Sequence, residues 1–576
     1  MSILVVNRDI TYASEYHETT KHSEISLMTQ RHYLDFDNRP IPFKIYTTDF
    51  PVRPLPSDFP QPVLDAISAV SILNPGVPNN AKFNKVGEKE MGSTPSKKVR
   101  DLGIRDLAEI LFFSAGITRA KKYDTTTYYM RAASATGALY PIELYVVCPD
   151  LISELEAGVY HFSPADFSLV QIRKGDYRPH LAAATSEREQ VLSSPINLVL
   201  TSFAWRNAWK YQGRSYRHWF WDTGVIVANL LATTVSMGLT TNLKMGFIDD
   251  VANHLLGLDY HKEAAVIIAN IGGQETSQAD KRDKRGEKVI EIPDSIAPKN
   301  RPLSESEIDF PEIWKLHDAS KLFSPEEIMQ WVDGMELAEQ LSDKHSLPSA
   351  HLEVLNRRPL LFSQQNSPSA SISSLAEVIL KRGSTRRFAK ASLPFRTLSS
   401  ILYSSTRGTP LDFLGKEIHS LIDVYLICND VEDLPPGGYF FNHKFNTVDL
   451  LKMKVSREMS GYLCLGQSLF SQASAVLFLM TDLQKVLKAL GNRGYRASQF
   501  EAGIIAGKIY LAAYAHGIGA SGSTFFDDAV TEFFSPHAEK KSTMIAMGIG
   551  KPAYKASSGK ILPVRLTREH MLKARL

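Results

Sequence analysis

Apolar and polar positions fall into the same series twice along this chain. Residues 196–203 (INLVLTSF) and 475–482 (AVLFLMTD) are short, nearly unbroken apolar runs, the pattern of a strand buried on both faces. Each is followed by a longer stretch rich in apolar and small residues, 222–238 (DTGVIVANLLATTVSMG) and 501–517 (EAGIIAGKIYLAAYAHG). That composition predicts a helix buried on most sides, and the terminal glycine of each suits a C-cap. A further strand closes each series, at 264–273 and 543–550, and GVYHF at 158–162 has a partner in GGYFF at 437–441. The predicted class is α+β: an antiparallel-rich sheet covered by long helices, made twice.

The duplication holds residue by residue. Arg214, Tyr216, Arg217, Gly224, Gly238 and Asp249 reappear as Arg493, Tyr495, Arg496, Gly503, Gly517 and Asp528, every pair 279 residues apart. A constant offset over this span signifies a repeated domain. The expected organisation is an N-terminal arm at 1–60, a first domain at 61–275, a connector at 276–372 and a second domain at 373–576. The arm (NRPIPFKIYTTDFPVRPLP in its later part) reads as irregular and without chemistry. The connector opens with the polar QADKRDKRGEK and continues with the helical PEEIMQWVDGMELAEQLSDKH, and is expected to wrap from one domain to the other.

Where the copies differ, chemistry enters. Aligning Leu398 with Leu107 sets Arg382-Gly383-Ser384-Thr385-Arg386 over Met91-Gly92-Ser93-Thr94-Pro95, so both arginines belong to the second copy alone. Arginines around a Gly-Ser-Thr turn suit a phosphate or an anionic ring, although KRGSTRR taken alone reads more readily as a solvated basic run. Eleven residues of the first copy then lack a counterpart, in the region holding Ser134-Ala135-Thr136-Gly137-Ala138-Leu139-Tyr140-Pro141. Small residues there let the backbone approach a flat ligand; a plain loop is the alternative. Lys210-Tyr211 faces Ala489-Leu490, which makes the pair candidates for proton transfer, against an exposed Lys and a packed Tyr.

Composition narrows the field only a little. The chain has 576 residues, 44% of them hydrophobic, which fills two cores, and a net charge of +3 argues against a large nucleic-acid footprint. Its three cysteines have no CxxC spacing and define neither a disulfide framework nor a metal site; Cys148 and Cys428 read as small core residues. No signal peptide opens the sequence and no apolar run reaches the roughly 20 residues of a membrane span. A cytoplasmic protein is expected.

These motifs resemble the nitroreductase-like flavoprotein superfamily, and within it the SagB-type azoline dehydrogenases. Arg382 to Phe388 is similar to the superfamily's Arg-Arg-Ser-x-Arg-x-Phe opening. Ser134 to Tyr145 resembles the SagB-type Ser-Ala-Gly-Ala-Leu-Tyr-Pro segment, and Lys210 to Arg217 resembles a Lys-Tyr motif followed by Arg-Gly-Tyr-Arg. Members of that family are usually homodimers with FMN at the interface. The resemblance therefore implies a pseudo-dimer within one chain, holding one intact FMN site. In it, Arg382 and Ser384 would hold the phosphate and ribityl chain, and Arg386 would sit by flavin N1 and O2. Ser134, Gly137, Ala138 and Leu139 would pack on the ring from the other half. Gly522 and Ser523 would approach the edge near N5, Lys551 would reach the phosphate, and Lys210 and Tyr211 would be catalytic.

The function implied is oxidation of a thiazoline or oxazoline, in a peptide or carrier-bound intermediate, to the azole. A cyclodehydratase or a carrier protein is the partner this implies, with no nucleic acid and no membrane. Two alternatives remain open at this point: an NAD(P)H-dependent nitroreductase or quinone reductase, and a non-catalytic flavin-binding scaffold for a biosynthetic partner.

Overall fold

The computed structural model describes residues 6–29, 32–73, 101–123, 126–151, 154–273, 293–342, 354–361, 373–414, 420–555, 557–560 and 565–573. Met91 to Pro95 and the QADKRDKRGEK stretch lie outside them. The first half contributes Val52–Pro54 (β1), the hairpin Ile117–Tyr123 (β2) and Thr126–Arg131 (β3), then Ile142–Cys148 (β4), Gly158–Ser163 (β5), Ser168–Lys174 (β6), Ile196–Phe203 (β7), Thr241–Lys244 (β8) and Glu263–Ile271 (β9). The second contributes Asn356–Pro359 (β10), Asp423–Cys428 (β11), Gly437–Asn442 (β12), Thr447–Met453 (β13), Ala475–Thr481 (β14), Gly519–Ser523 (β15) and Ser542–Gly550 (β16).

The two seven-stranded sheets have one topology, β1-β6-β5-β4-β7-β9-β8 and β10-β13-β12-β11-β14-β16-β15. All ladders within them are antiparallel; in each, a middle strand pairs on both sides, with Tyr145 opposite His161 and Val199, and Tyr425 opposite Phe440 and Phe478. Strands β4, β7, β11 and β14 are almost wholly buried, as their unbroken apolar runs require. Cys148 and Cys428 are free and buried within these strands.

The central helices, Tyr216–Ser236 and Arg493–Ala515, begin earlier than their apolar runs suggest. Their first turns carry arginines that are buried because they find carboxylate partners. The helices cross at Gly224 and Gly503. A Cβ on Gly224 would lie 2.6 Å from Gly503 C and Ile504 N, and one on Gly503 would lie 2.7 Å from Trp221 O. Only glycine allows two backbones to meet so closely. One apolar cluster spans both halves, including Leu107, Ile226, Leu375, Leu490 and Tyr495.

The arm departs from expectation. It is helical over Thr11–Thr19, with Ala13, Tyr16 and His17 buried between the halves. Arm and connector also turn out to be alike. His17, Glu18, Thr20 and Lys21 recur as His317, Asp318, Ser320 and Lys321, all 300 residues apart. Beyond these, the arm supplies β1 against β6, and the connector supplies β10 against β13. The repeated unit thus includes pieces that lie far upstream of each sheet's middle strands.

Candidate functional site

The most polar buried groups hold the halves together. Arg217 Nη1 donates to Asp527 Oδ1 at 2.9 Å, and Arg214 reaches Asp527 Oδ2 at 3.1 Å. Across the pseudo-two-fold, Arg493 and Arg496 each donate to Asp249 at 2.6 Å. Burial alone would raise both carboxyls; the paired guanidiniums outweigh it and hold them far below the ordinary value. The arm completes one clamp, where Arg217 donates to the His17 carbonyl and Thr20 Oγ1; the connector completes the other, where Arg496 donates to the His317 carbonyl and Ser320 Oγ. The shared Arg-x-Tyr-Arg is therefore an assembly device. The structure also corrects one pairing: the partner of Asp249 in the repeat is Asp527. Each heads an eight-residue helix, Asp249–Leu256 and Asp527–Phe534, whereas Asp528 is exposed and pairs with Lys21.

On one side of this axis, groups unique to each half converge. Helix Ala204–Tyr211 ends with Lys210, half-buried, its Nζ 5.3 Å from the Tyr211 ring centroid. Burial, then the charges of Arg39 and Arg386, lowers the Lys210 pKa. Burial and the Asp222 charge raise that of Tyr211, and Arg386 opposes them. The Tyr211 hydroxyl sits 2.7 Å from where a Cβ on Gly137 would stand, so that glycine is sterically required. Gly137 belongs to a single 3-10 turn, Thr136–Ala138, with left-handed φ at Gly137 (63°), Ala138 (56°) and Tyr140 (47°). Ser134 lines a small cavity with Ala135, Tyr140, Asp222 and Ile226, and Leu139 is buried behind the turn.

The second half meets this turn through Arg382. Its Nε and Nη2 donate to the carbonyls of Ala132 and Arg131, both at 3.0 Å, while Arg119 Nη2 donates back to the carbonyls of Leu380 and Arg382. Ser384 Oγ bonds the Tyr510 hydroxyl at 3.2 Å, and that hydroxyl accepts from Gly522 N at 2.8 Å. Ser523 Oγ accepts from Gln467. Arg386 is exposed, its amide donating to the Tyr554 hydroxyl. Lys551 is exposed too, and its carbonyl accepts from Ala389 N, which ties it to the end of the Arg382–Phe388 segment. Arg39, Arg119, Asp222, Tyr510 and Tyr554 were not singled out by motif. Only Asp222 left a signal, since the other copy carries an acid, Glu501, at the same place.

On the opposite side the counterpart is closed. Leu243 N donates to Pro410 O, Asp412 N to Leu243 O, and the Asp412 carboxylate accepts from Met245 N and Gly246 N. Residues 410–412 thus lie along the free edge of β8. Leu243 is buried where its counterpart Gly522 is exposed, and Phe413 is sealed against Trp331.

Residues 104–273 and 379–551 each match the nitroreductase family, together more than half the chain, and the protein belongs to that family. It is 28% identical over 171 residues to a candidate nitroreductase of Methanocaldococcus jannaschii, a match covering 30% of this chain and 81% of that one. It is 27% identical over 191 residues to the trifolitoxin-processing protein TfxB of Rhizobium leguminosarum bv. trifolii, covering 32% of this chain and about half (51%) of TfxB. The crystal structure of a candidate nitroreductase from Anabaena variabilis superposes with a TM-score of 0.68 at 23% identity, over 94% of this chain and 99% of that one, so the duplicated fold is shared from end to end.

Proposed function

We propose that this protein is an FMN-dependent dehydrogenase that oxidises a thiazoline or oxazoline ring, in a peptide or carrier-bound intermediate, to the azole. The observation that carries the reading is the convergence of Lys210-Tyr211 from one half with Arg386 from the other, on the one side of the axis that is not closed. The donor set suits an anionic cofactor. Among the described residues, Arg119, Arg382, Arg386 and Lys210 have no carboxylate partner, and Arg119 Nε is buried without an acceptor. Such a cluster is stabilised by a phosphate or an anionic ring. Arg386, Ser384 and Lys551 would hold the group, with the remaining Nη1 of Arg382. The Ser134–Leu139 turn would face it from the first half. Identity with TfxB, a toxin-processing protein by name, favours a ring in a peptide over a nitro compound.

FMN, when bound, supplies the acceptor for the hydride that leaves the azoline ring. The chain's part is the proton. Neutral Lys210 takes it from the ring carbon, so that one proton and one hydride leave and the ring becomes aromatic. Burial and two neighbouring cations favour that neutral form. Tyr211, its pKa raised, stays a phenol that orients the ring by donating a hydrogen bond. Closure of β8 supports one FMN per chain.

The test follows flavin bleaching anaerobically in one turnover with an azoline peptide. Lys210→Ala and Tyr211→Phe should bind one FMN per chain and bleach about 10²–10⁴-fold more slowly than the parent. Bleaching of Lys210→Ala at the parent rate would refute the proton-transfer role. Rapid bleaching of the parent by NADPH, with none by the azoline, would make the protein a reductase.

A further inference from the structure

We propose that Asp222 is the positioning residue of this site: its carboxylate fixes the turn at Thr136–Ala138 against Tyr211, and so sets the surface that faces the cofactor. The inference rests on the assignment of FMN to this side of the axis. Asp222 Oδ1 accepts from both Thr136 N (2.8 Å) and Thr136 Oγ1 (2.7 Å), and Oδ2 accepts from Asn207 Nδ2 at 3.3 Å. Asn207 lies on the helix that carries Lys210 and Tyr211. One buried carboxylate therefore connects the turn to the helix of the proposed base.

The turn needs such an anchor. Its internal bonds are few, from Ala138 N to Ala135 O and from Leu139 N to Thr136 O. Ala138 and Tyr140 hold left-handed φ without being glycine, a conformation that persists only where surroundings over-determine it. Asp222 also stands close in sequence to where the two central helices pack against each other. It is two residues from Gly224, where the central helices touch backbone to backbone, and beside Trp221, whose Nε1 donates to Gln499 Oε1 in the other helix. A turn tied to that point cannot drift without the helices separating.

The second half repeats the arrangement at a segment whose sequence has no counterpart to the Ser134–Pro141 stretch. Glu501, the counterpart of Asp222, accepts from Leu421 N at 2.8 Å, just ahead of β11 as Thr136 is ahead of β4. The acid at this helix position pins the segment entering the middle strand in both halves. Only in the first half does that segment carry Gly137 to Tyr211.

The test uses the purified full chain and two readouts that need no azoline substrate. One is amide exchange of a peptide spanning residues 133–139; the other is the Kd for FMN. Asp222→Ala should speed exchange and raise the Kd, each about tenfold or more, as expected where buried donors lose their acceptor. Asp222→Asn keeps an acceptor oxygen and should restore both to within about threefold. Thr136→Ala should give a partial effect in the parent and none in the Asp222→Ala chain, because its Oγ1 acts through that carboxylate. Should Asp222→Ala not fold, Asp222→Leu, which also lacks an acceptor but fills the space, takes its place in the comparison. Parental exchange in the chain that lacks an acceptor at 222, or a full Thr136→Ala effect in that chain, would overturn the proposal. A chain with these shifts that never oxidises an azoline would leave Asp222 as proposed and refute only the dehydrogenase reading.

Discussion

Lys210 is set among like charges, and that has a consequence for pH. Its pKa is lowered by burial and then by Arg39 and Arg386. The proposed reaction should therefore gain rate with rising pH through an inflection below the ordinary lysine value of 10.5. Arg39→Gln removes one repelling charge and should move that inflection upward; a profile that does not move would take Lys210 out of the titration. Residues of this kind were legible because the copies differ: Lys210-Tyr211 and the two arginines stand out against Ala489-Leu490, Met91 and Pro95. Arg119 and Tyr510 were not legible, since their roles come from strand and helix geometry that brings Arg119 to Arg382, 263 positions on, and Tyr510 to Ser384, 126 positions back. Arg214 and Arg217 were legible as important, but local spacing cannot show that their carboxylate lies in the other half.

Among elements, the crossing of the central helices is the most sensitive to substitution. Alanine normally favours a helix over glycine by about 1 kcal/mol. At Gly224 it would meet the backbone of Gly503, so Gly224→Ala should instead destabilise, by about 1–3 kcal/mol from overpacking. The comparison is Gly238→Ala, where a Cβ meets nothing within 4 Å and only the left-handed φ of 72° opposes it. Urea midpoints for the two variants check the order; a neutral Gly224→Ala would mean the helices can part. Both helices and most inner strands were readable from apolar period and run length. The arm was not, because its helix is short and its buried face is polar, with Tyr16 donating to Gly213 O and His17 beside the arginines. Its likeness to the connector was present in the sequence as His-acid-x-hydroxyl-Lys. That match stands at an offset of 300 rather than 279, outside the constant spacing that marks the other repeated residues.

For the whole molecule, the clamps set the acid limit. Asp249 and Asp527 have folded pKa values below 3.8, so their contribution is present above the unfolded pKa and lost as pH falls through the folded one. Asp222 and Glu501, raised to about 7 by burial, act with the opposite sign: their contribution is lost as pH rises toward 7. Stability measured against pH should thus decline gently from about pH 4 to 7 and collapse below pH 4. Asp527→Asn should lower stability at neutral pH by about 3–5 kcal/mol, since it leaves two guanidiniums buried without their charge partner, and should flatten the acid limb. An unchanged acid limb would place the acid-sensitive contacts elsewhere.

Closure of β8 by residues 410–412 also bears on how anything large can approach. A symmetric pair of subunits offers each visitor two equivalent doorways, and whatever improves one is copied at the other. Here, on the proposed reading and among the described residues, the doorway exists once per chain. A delivering protein would accordingly dock one-to-one, in a single orientation, and the face behind Asp412 is left to change without touching the chemistry.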